Sequence, residues 1–134
     1  MAGRIPQVGE KATLTRTITS EMVVAYADLI GDHNPVHLDE TFAATTRFGR
    51  RIAHGMLVAG LVSTVIASDL PGPGSVYLGQ TLQFKAPVYL GDTITVQVKV
   101  TKVREDKPIV TLATVCANQD NKVVLEGEAV VLMQ

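Results

Sequence analysis

The sequence predicts an α+β domain in which a curved antiparallel sheet wraps one buried helix. Three observations predict it. A helix-length stretch, GMLVAGLVSTVIASDL (residues 55–70), is apolar on nearly every face. Four segments rich in Val, Thr and Ile follow it, and the turns between them are too brief for the crossovers that parallel strands require. At 134 residues the chain has the length of one domain, and such a chain buries roughly two-thirds of the surface its unfolded form exposes. With no internal repeat, low-complexity tract or linker in view, residues 1–134 are expected to form a single unit.

The elements follow in order. KATLTRTIT (11–19) alternates polar and apolar side chains as a half-buried strand does. SEMVVAYADLI (20–30) changes to a helical rhythm, with Ser20 suited to the N-cap and Gly31 to the position past the last turn, where positive φ costs glycine little. Asn34 followed by Pro35 marks a fresh helical start, because the Asn side chain can accept a backbone N–H and Pro has the φ of a first turn. Asp39 could cap a slightly later helix, ETFAATTRF. The apolar helix over 55–70 reads as the central one, enclosed on all sides, and PGPG (71–74) ends it. The strands expected after it are VYLGQTLQFK (76–85), DTITVQVKVTKV (92–103), PIVTLATVCANQ (108–119) and KVVLEGEAVVLM (122–133), separated by turn-forming residues.

Composition narrows the function. A formal charge of −1 gives no global field to attract nucleic acid or anionic lipid. The N-terminal MAGRIPQVGEK lacks an apolar signal core, and the longest apolar run is broken by Ser63 and Thr64 well short of the ~20 residues of a membrane span. A cytoplasmic protein is the expectation. The lone Cys116 lies in an alternating segment, where a small buried thiol is expected in place of a nucleophile.

Chemistry concentrates in GDHNPVHLDE (31–40), where Asp32, His33, His37, Asp39 and Glu40 surround the helix breaker Asn34-Pro35. On a straight helix Asp32 and His37 would stand roughly 140° apart. A break between them lets both side chains bend toward one point, where a carboxylate and an imidazole could exchange protons with a shared water. Two other readings compete. His33 and His37 have the i, i+4 spacing of metal ligands, with Asp32, Asp39 or His54 to complete a site, but Pro35 disrupts the helical geometry on which that spacing depends. Asp32, Asn34 and Asp39 could also do no more than cap helices. Further along, His54 and Gly55 open the apolar helix, where unpaired N–H groups face outward and could stabilise negative charge on a carbonyl oxygen. Close packing would equally explain Gly55, and a hydrogen bond at the helix start would explain His54. Ser63, eight residues after Gly55, could touch a ligand or bond back to the preceding turn.

With those residues in view, the sequence resembles the MaoC-like, (R)-specific enoyl-CoA hydratases of the hotdog superfamily over nearly its whole length. GDHNPVHLDETFA carries the pattern Gly-Asp-x-Asn-Pro, aliphatic, His, then a small residue six positions on, here Ala43. RIAHGMLVAGL and YLGQTLQFKAPVYLGDTI resemble the next two blocks, in order. The resemblance implies a hotdog fold and reversible syn hydration of a trans-2-enoyl-CoA to an (R)-3-hydroxyacyl-CoA. It implies that Asp32 and His37 activate the catalytic water, Asn34 supports the loop, Gly55 N–H receives the thioester oxygen, and Ser63 lies near the acyl region. It further implies no metal or redox cofactor, coenzyme A entering only as part of the substrate, and a homodimer joined sheet edge to sheet edge. An acyl-CoA thioesterase and a noncatalytic acyl-thioester-binding subunit are the alternatives on the same fold. Two positions depart from the pattern: Ile30 replaces a small hydroxyl residue, and Arg51 stands where a proline is common. Arg50 and Arg51 form a basic pair that could contact coenzyme A phosphates, as could Lys85, Lys102, Arg104 and Lys107.

Overall fold

The computed structural model describes residues 4–134. The elements are β1 (Lys11–Thr17), α1 (Ser20–Ile30), α2 (Pro35–Leu38), α3 (Glu40–Ala44), α4 (Gly55–Ser68), β2 (Val76–Gln80), β3 (Gln83–Phe84), β4 (Thr93–Val103), β5 (Ile109–Ala117) and β6 (Val123–Leu132). All pairings are antiparallel, in the order β1-β4-β5-β6-β2, with β3 also pairing with β6. Alternation decides which way each strand faces. Ile94, Val96, Val98 and Val100 of β4 are fully buried while the residues between them face out. With Val110, Leu112 and Cys116 of β5 and Leu125, Ala129 and Val131 of β6, they form the surface on which Val58, Leu61, Val62, Val65 and Ile66 of α4 pack.

Three local expectations are revised. Thr19, one residue earlier than expected, caps α1 by accepting the Met22 N–H at 3.2 Å, because Ser20 already has helical geometry. The segment 76–85 forms two strands, so five follow the central helix. The break falls at Thr81, whose hydroxyl accepts the Glu128 N–H at 2.9 Å, and whose carbonyl crosses Gly127 where a Cβ would lie 1.9 Å away. Finally, α4 is not enclosed on all sides. The sheet covers one side, and Met56, Gly60, Thr64, Ala67 and Ser68 remain exposed on the other. Among the described residues, no helix is long and apolar enough to cross a membrane.

The turn before β4 ties the sheet to the site. The buried Asp92 carboxylate accepts the Tyr89 N–H at 2.9 Å and a Gln119 amide N–H at 3.0 Å, fixing the 89–92 corner. From that corner Ile52 bridges to Tyr89, and Ala53 N–H donates to the Val88 carbonyl at 2.7 Å. The segment leading into α4 is thus fastened to the core immediately before it reaches the polar cluster.

Candidate active site

The polar turn is built by local rules that the sequence displays. Gly31 takes the left-handed conformation (φ 80°) and its N–H donates to the Ala27 carbonyl, which stops α1. Asn34 accepts the Val36 N–H at 3.2 Å with Pro35 at the start of α2, and Asp39 accepts the Phe42 N–H at 3.1 Å to start α3. The α2 helix is only four residues long, and its short axis turns His37 inward, where the side chain is buried. Asp32 stays exposed in the preceding turn, its carboxylate accepting the Asn34 N–H at 3.3 Å.

The two side chains converge. A carboxylate oxygen of Asp32 and one ring nitrogen each from His37 and His54 lie within 4.8 Å of one another. His37 Nδ1–H donates to the Ile52 carbonyl at 2.7 Å. A carbonyl can only accept, so Nδ1 carries the proton and Nε2 is left with its lone pair. Burial is the main influence on this imidazole and pushes its pKa below the ordinary value, favouring the unprotonated ring. Arg51, the departure from the family pattern, donates from Nε to the His37 carbonyl at 2.7 Å and from Nη1 to Ser20 Oγ at 3.2 Å. It therefore braces the main chain of α2 from inside the fold. Arg50 keeps the outward position, with its guanidinium 3.9 Å above the Tyr89 ring.

His54 belongs to the site more fully than its place at a helix start suggested. It is 2% exposed and stacks on His37 with ring centroids 3.9 Å apart, and its Nε2–H donates to the Asp32 main-chain carbonyl at 3.0 Å. The group Asp32, His37 and His54 is the set of metal-type donors that draws together among the described residues. Each ring already spends one nitrogen on a main-chain carbonyl, His37 Nδ1 on Ile52 and His54 Nε2 on Asp32, which leaves one nitrogen per ring for other work. His33 points elsewhere, pairing with Asp28 at 2.9 Å on the surface, so the i, i+4 histidine pair does not form a site.

Gly55 begins α4, so its N–H has no partner within the helix. A side chain there would collide with the Phe84 ring, since a Cβ would lie 2.6 Å from Phe84 Cε1. Only glycine lets the ring lie this close. Both residues line a mostly apolar cavity of about 540 Å³, together with His37, Met56, Val88 and Leu125. A cavity of that size suits an acyl chain beside a reactive head. Phe84 carries no sequence signal to separate it from any strand aromatic. Ser63 is half-buried on α4 and has no side-chain hydrogen bond among the described residues; the expected bond back to the preceding turn is made by its neighbour, from Thr64 Oγ1 to the Gly60 carbonyl at 3.3 Å. Among the other candidate cations, Lys85 lies 3.3 Å from Glu126, Arg104 pairs with Asp106, and Lys102 and Lys107 are exposed.

A single antiparallel sheet curved around α4, with Asp32 and His37 brought to the start of that helix, is the hotdog architecture. Residues 4–121 match the family described as MaoC like domain, and the chain belongs to that family. Over 131 residues, 98% of each chain, it is 50% identical to an (R)-specific enoyl-CoA hydratase of Aeromonas caviae. The solved (R)-hydratase from that organism, described as involved in PHA biosynthesis, superposes with a TM-score of 0.94, covering 96% of this chain and 98% of that one. The unliganded R-hydratase PhaJ1 of Pseudomonas aeruginosa superposes at 0.91 with 48% identity, covering 96% of this chain and 82% of that one. A mitochondrial 3-hydroxyacyl-[acyl-carrier-protein] dehydratase of Arabidopsis thaliana is 38% identical over 95% of this chain and 77% of its own.

Proposed function

We propose that the chain is an (R)-specific enoyl-CoA hydratase, adding water reversibly to a trans-2-enoyl-CoA to give the (R)-3-hydroxyacyl-CoA. It is a hydro-lyase, in keeping with relatives at about half identity that are named (R)-specific enoyl-CoA hydratase and 3-hydroxybutyryl-CoA dehydratase. The observation that carries the reading is the meeting of the Asp32 carboxylate with the His37 imidazole beside the free N–H of Gly55. In the tautomer fixed by Ile52, His37 Nε2 is an acceptor, so one water can donate one hydrogen to it and the other to Asp32. That arrangement aims a water lone pair at C3.

The thioester carbonyl conjugates with the C2=C3 bond, and a hydrogen bond from Gly55 N–H stabilises the enolate-like charge that grows as the C3–O bond forms. Asp32 serves as the principal base and takes one water proton, the other staying on the new hydroxyl. His37 orients the water, receives the proton from Asp32 at Nε2 and delivers it to C2 on the same face. Atoms balance with one water consumed, no electrons change hands, and the step calls for no metal or redox cofactor. The acyl chain enters the 540 Å³ cavity past Phe84.

The protein works as a homodimer. Strand β2 closes one end of the sheet with Val76, Tyr77 and Leu78 exposed, and an apolar strand edge left open is suited to pairing with a second copy. The decisive experiment incubates the purified protein with 2-enoyl-CoAs of graded chain length. Loss of the conjugated enoyl absorbance with formation of the (R)-alcohol is expected. Release of free thiol without hydration would replace this reading with a thioesterase, and binding without turnover would replace it with a noncatalytic subunit.

A further inference from the structure

We infer that His54 is a positioning residue, one that holds Asp32 and His37 in register through its Nε2–H and its ring face. The inference rests on the hydratase reading of the Asp32–His37 pair. Asp32 lies in an exposed turn, and its carboxylate makes one hydrogen bond, to the nearby Asn34 N–H. Its main-chain carbonyl, by contrast, is held from outside the turn by His54 Nε2–H at 3.0 Å. The same ring lies against His37 at 3.9 Å, while Tyr26 packs its edge on the far side with centroids 4.9 Å apart. His54 is also bonded directly to Gly55, so one buried side chain touches both members of the pair and adjoins the proposed carbonyl-oxygen donor.

The remaining nitrogen, Nδ1, is buried without a hydrogen-bonding partner, and His54 makes no side-chain cap to α4. A residue kept at the helix start for capping would use that nitrogen. Here the polar work is done by Nε2, toward Asp32. His37 is also held by Ile52, which accepts from its Nδ1–H, and by Arg51, which donates to its main-chain carbonyl. Of these contacts, the one from His54 is shared with Asp32 and so bears on the distance between the two groups.

Two variants separate the contacts. His54→Phe keeps a flat ring and removes the N–H, whereas His54→Gln keeps an N–H donor of similar reach. For a displacement of about 1 Å in the acid-base pair, kcat in the Phe variant should fall about 100-fold. KM should stay within about threefold, because the contact is to the catalytic groups and not to the acyl chain. The Gln variant should recover at least about tenfold of that loss, in proportion to the regained hydrogen bond. Melting curves establish that both variants fold. A folded Phe variant with the parent kcat, or equal losses in both variants, would overturn the inference.

Amide hydrogen exchange at residues 32–34 supplies a readout independent of turnover. Faster exchange in the Phe variant, restored by Gln, supports the tie to Asp32; unchanged exchange overturns it. If the parent protein hydrates nothing, the hydratase reading falls, and the exchange result alone decides the role of His54.

Discussion

Replacing Gly55 with alanine probes the junction between the proposed carbonyl-oxygen donor and the cavity. The added Cβ would stand 2.6, 2.9 and 3.2 Å from Cε1, Cδ1 and Cζ of Phe84. Carbon atoms rest at about 3.5–4.0 Å, so the ring must withdraw by about 1 Å. It has room to do so, being 54% exposed on the two-residue strand β3. Losing up to half of a phenylalanine's burial costs about 1 kcal/mol. For a chain of this length that lowers the melting temperature by about 3–5 °C. Catalysis should suffer more. A thioester carbonyl bonded to the Gly55 N–H must share the cavity with the displaced ring, and misplacing one such donor costs about 100-fold in kcat.

The assay follows the enoyl absorbance with a four-carbon 2-enoyl-CoA, alongside circular dichroism on heating. Adding Phe84→Ala to Gly55→Ala removes the obstructing ring and should return a large share of the rate, if displacement of the ring is the cause. Gly55→Ala with the parent kcat and KM would refute the reasoning outright.

Further outcomes are expected at Asp32, His37, Cys116 and Leu78. Asp32→Asn keeps the oxygen that accepts the Asn34 N–H and sits on an exposed residue, so the melting temperature should hold while turnover falls about 10²–10⁴-fold, the worth of a positioned acid-base group. Because burial lowers the His37 pKa beneath its ordinary 6.5, the acid limb of kcat/KM should lie below pH 6.5. The unfolded chain takes up that proton before the folded one does, so the contribution of His37 to stability is present above pH 6.5 and declines as pH falls toward the folded value; melting the parent and His37→Phe across this range measures it. Burial pushes the Cys116 thiol up to about 12, so a disulfide reagent should label it only on unfolding. Leu78→Lys, on the open edge of β2, should convert the dimer to a monomer in light scattering, and a parent that is already monomeric would remove the dimer from the proposal.

Short-range chemistry was readable from residue types, and long-range contacts were not. Asn34, Pro35 and Asp39 act within three or four residues of themselves, so their caps could be read directly. The period-two rhythm of β4 and β5 marks which side chains meet the helix, because a strand face is set by alternation alone. The break at Thr81 could not be read, since its cause is a partner 47 residues away. Apolar composition also overstated the enclosure of α4, because composition does not say which side a neighbour covers. At the site, the broken helix made the meeting of Asp32 and His37 possible and the family resemblance gave it a purpose. The inward reach of Arg51 and the double contact of His54 depend on the path of residues 49–54, which carries no periodic signal.

The fastening of residues 52 and 53 to the 88–89 corner matters for anyone reshaping substrate preference. Val88 lines the cavity proposed to take the acyl chain, and its carbonyl also anchors Ala53, one residue from the carbonyl that orients the His37 ring. A bulkier or smaller side chain at 88 therefore does more than resize the space. By moving that segment it shifts the imidazole, so selectivity and turnover should change together in redesigns made there, whereas redesigns at Phe84 or Met56 can be pursued with Asp32 and His37 left in place.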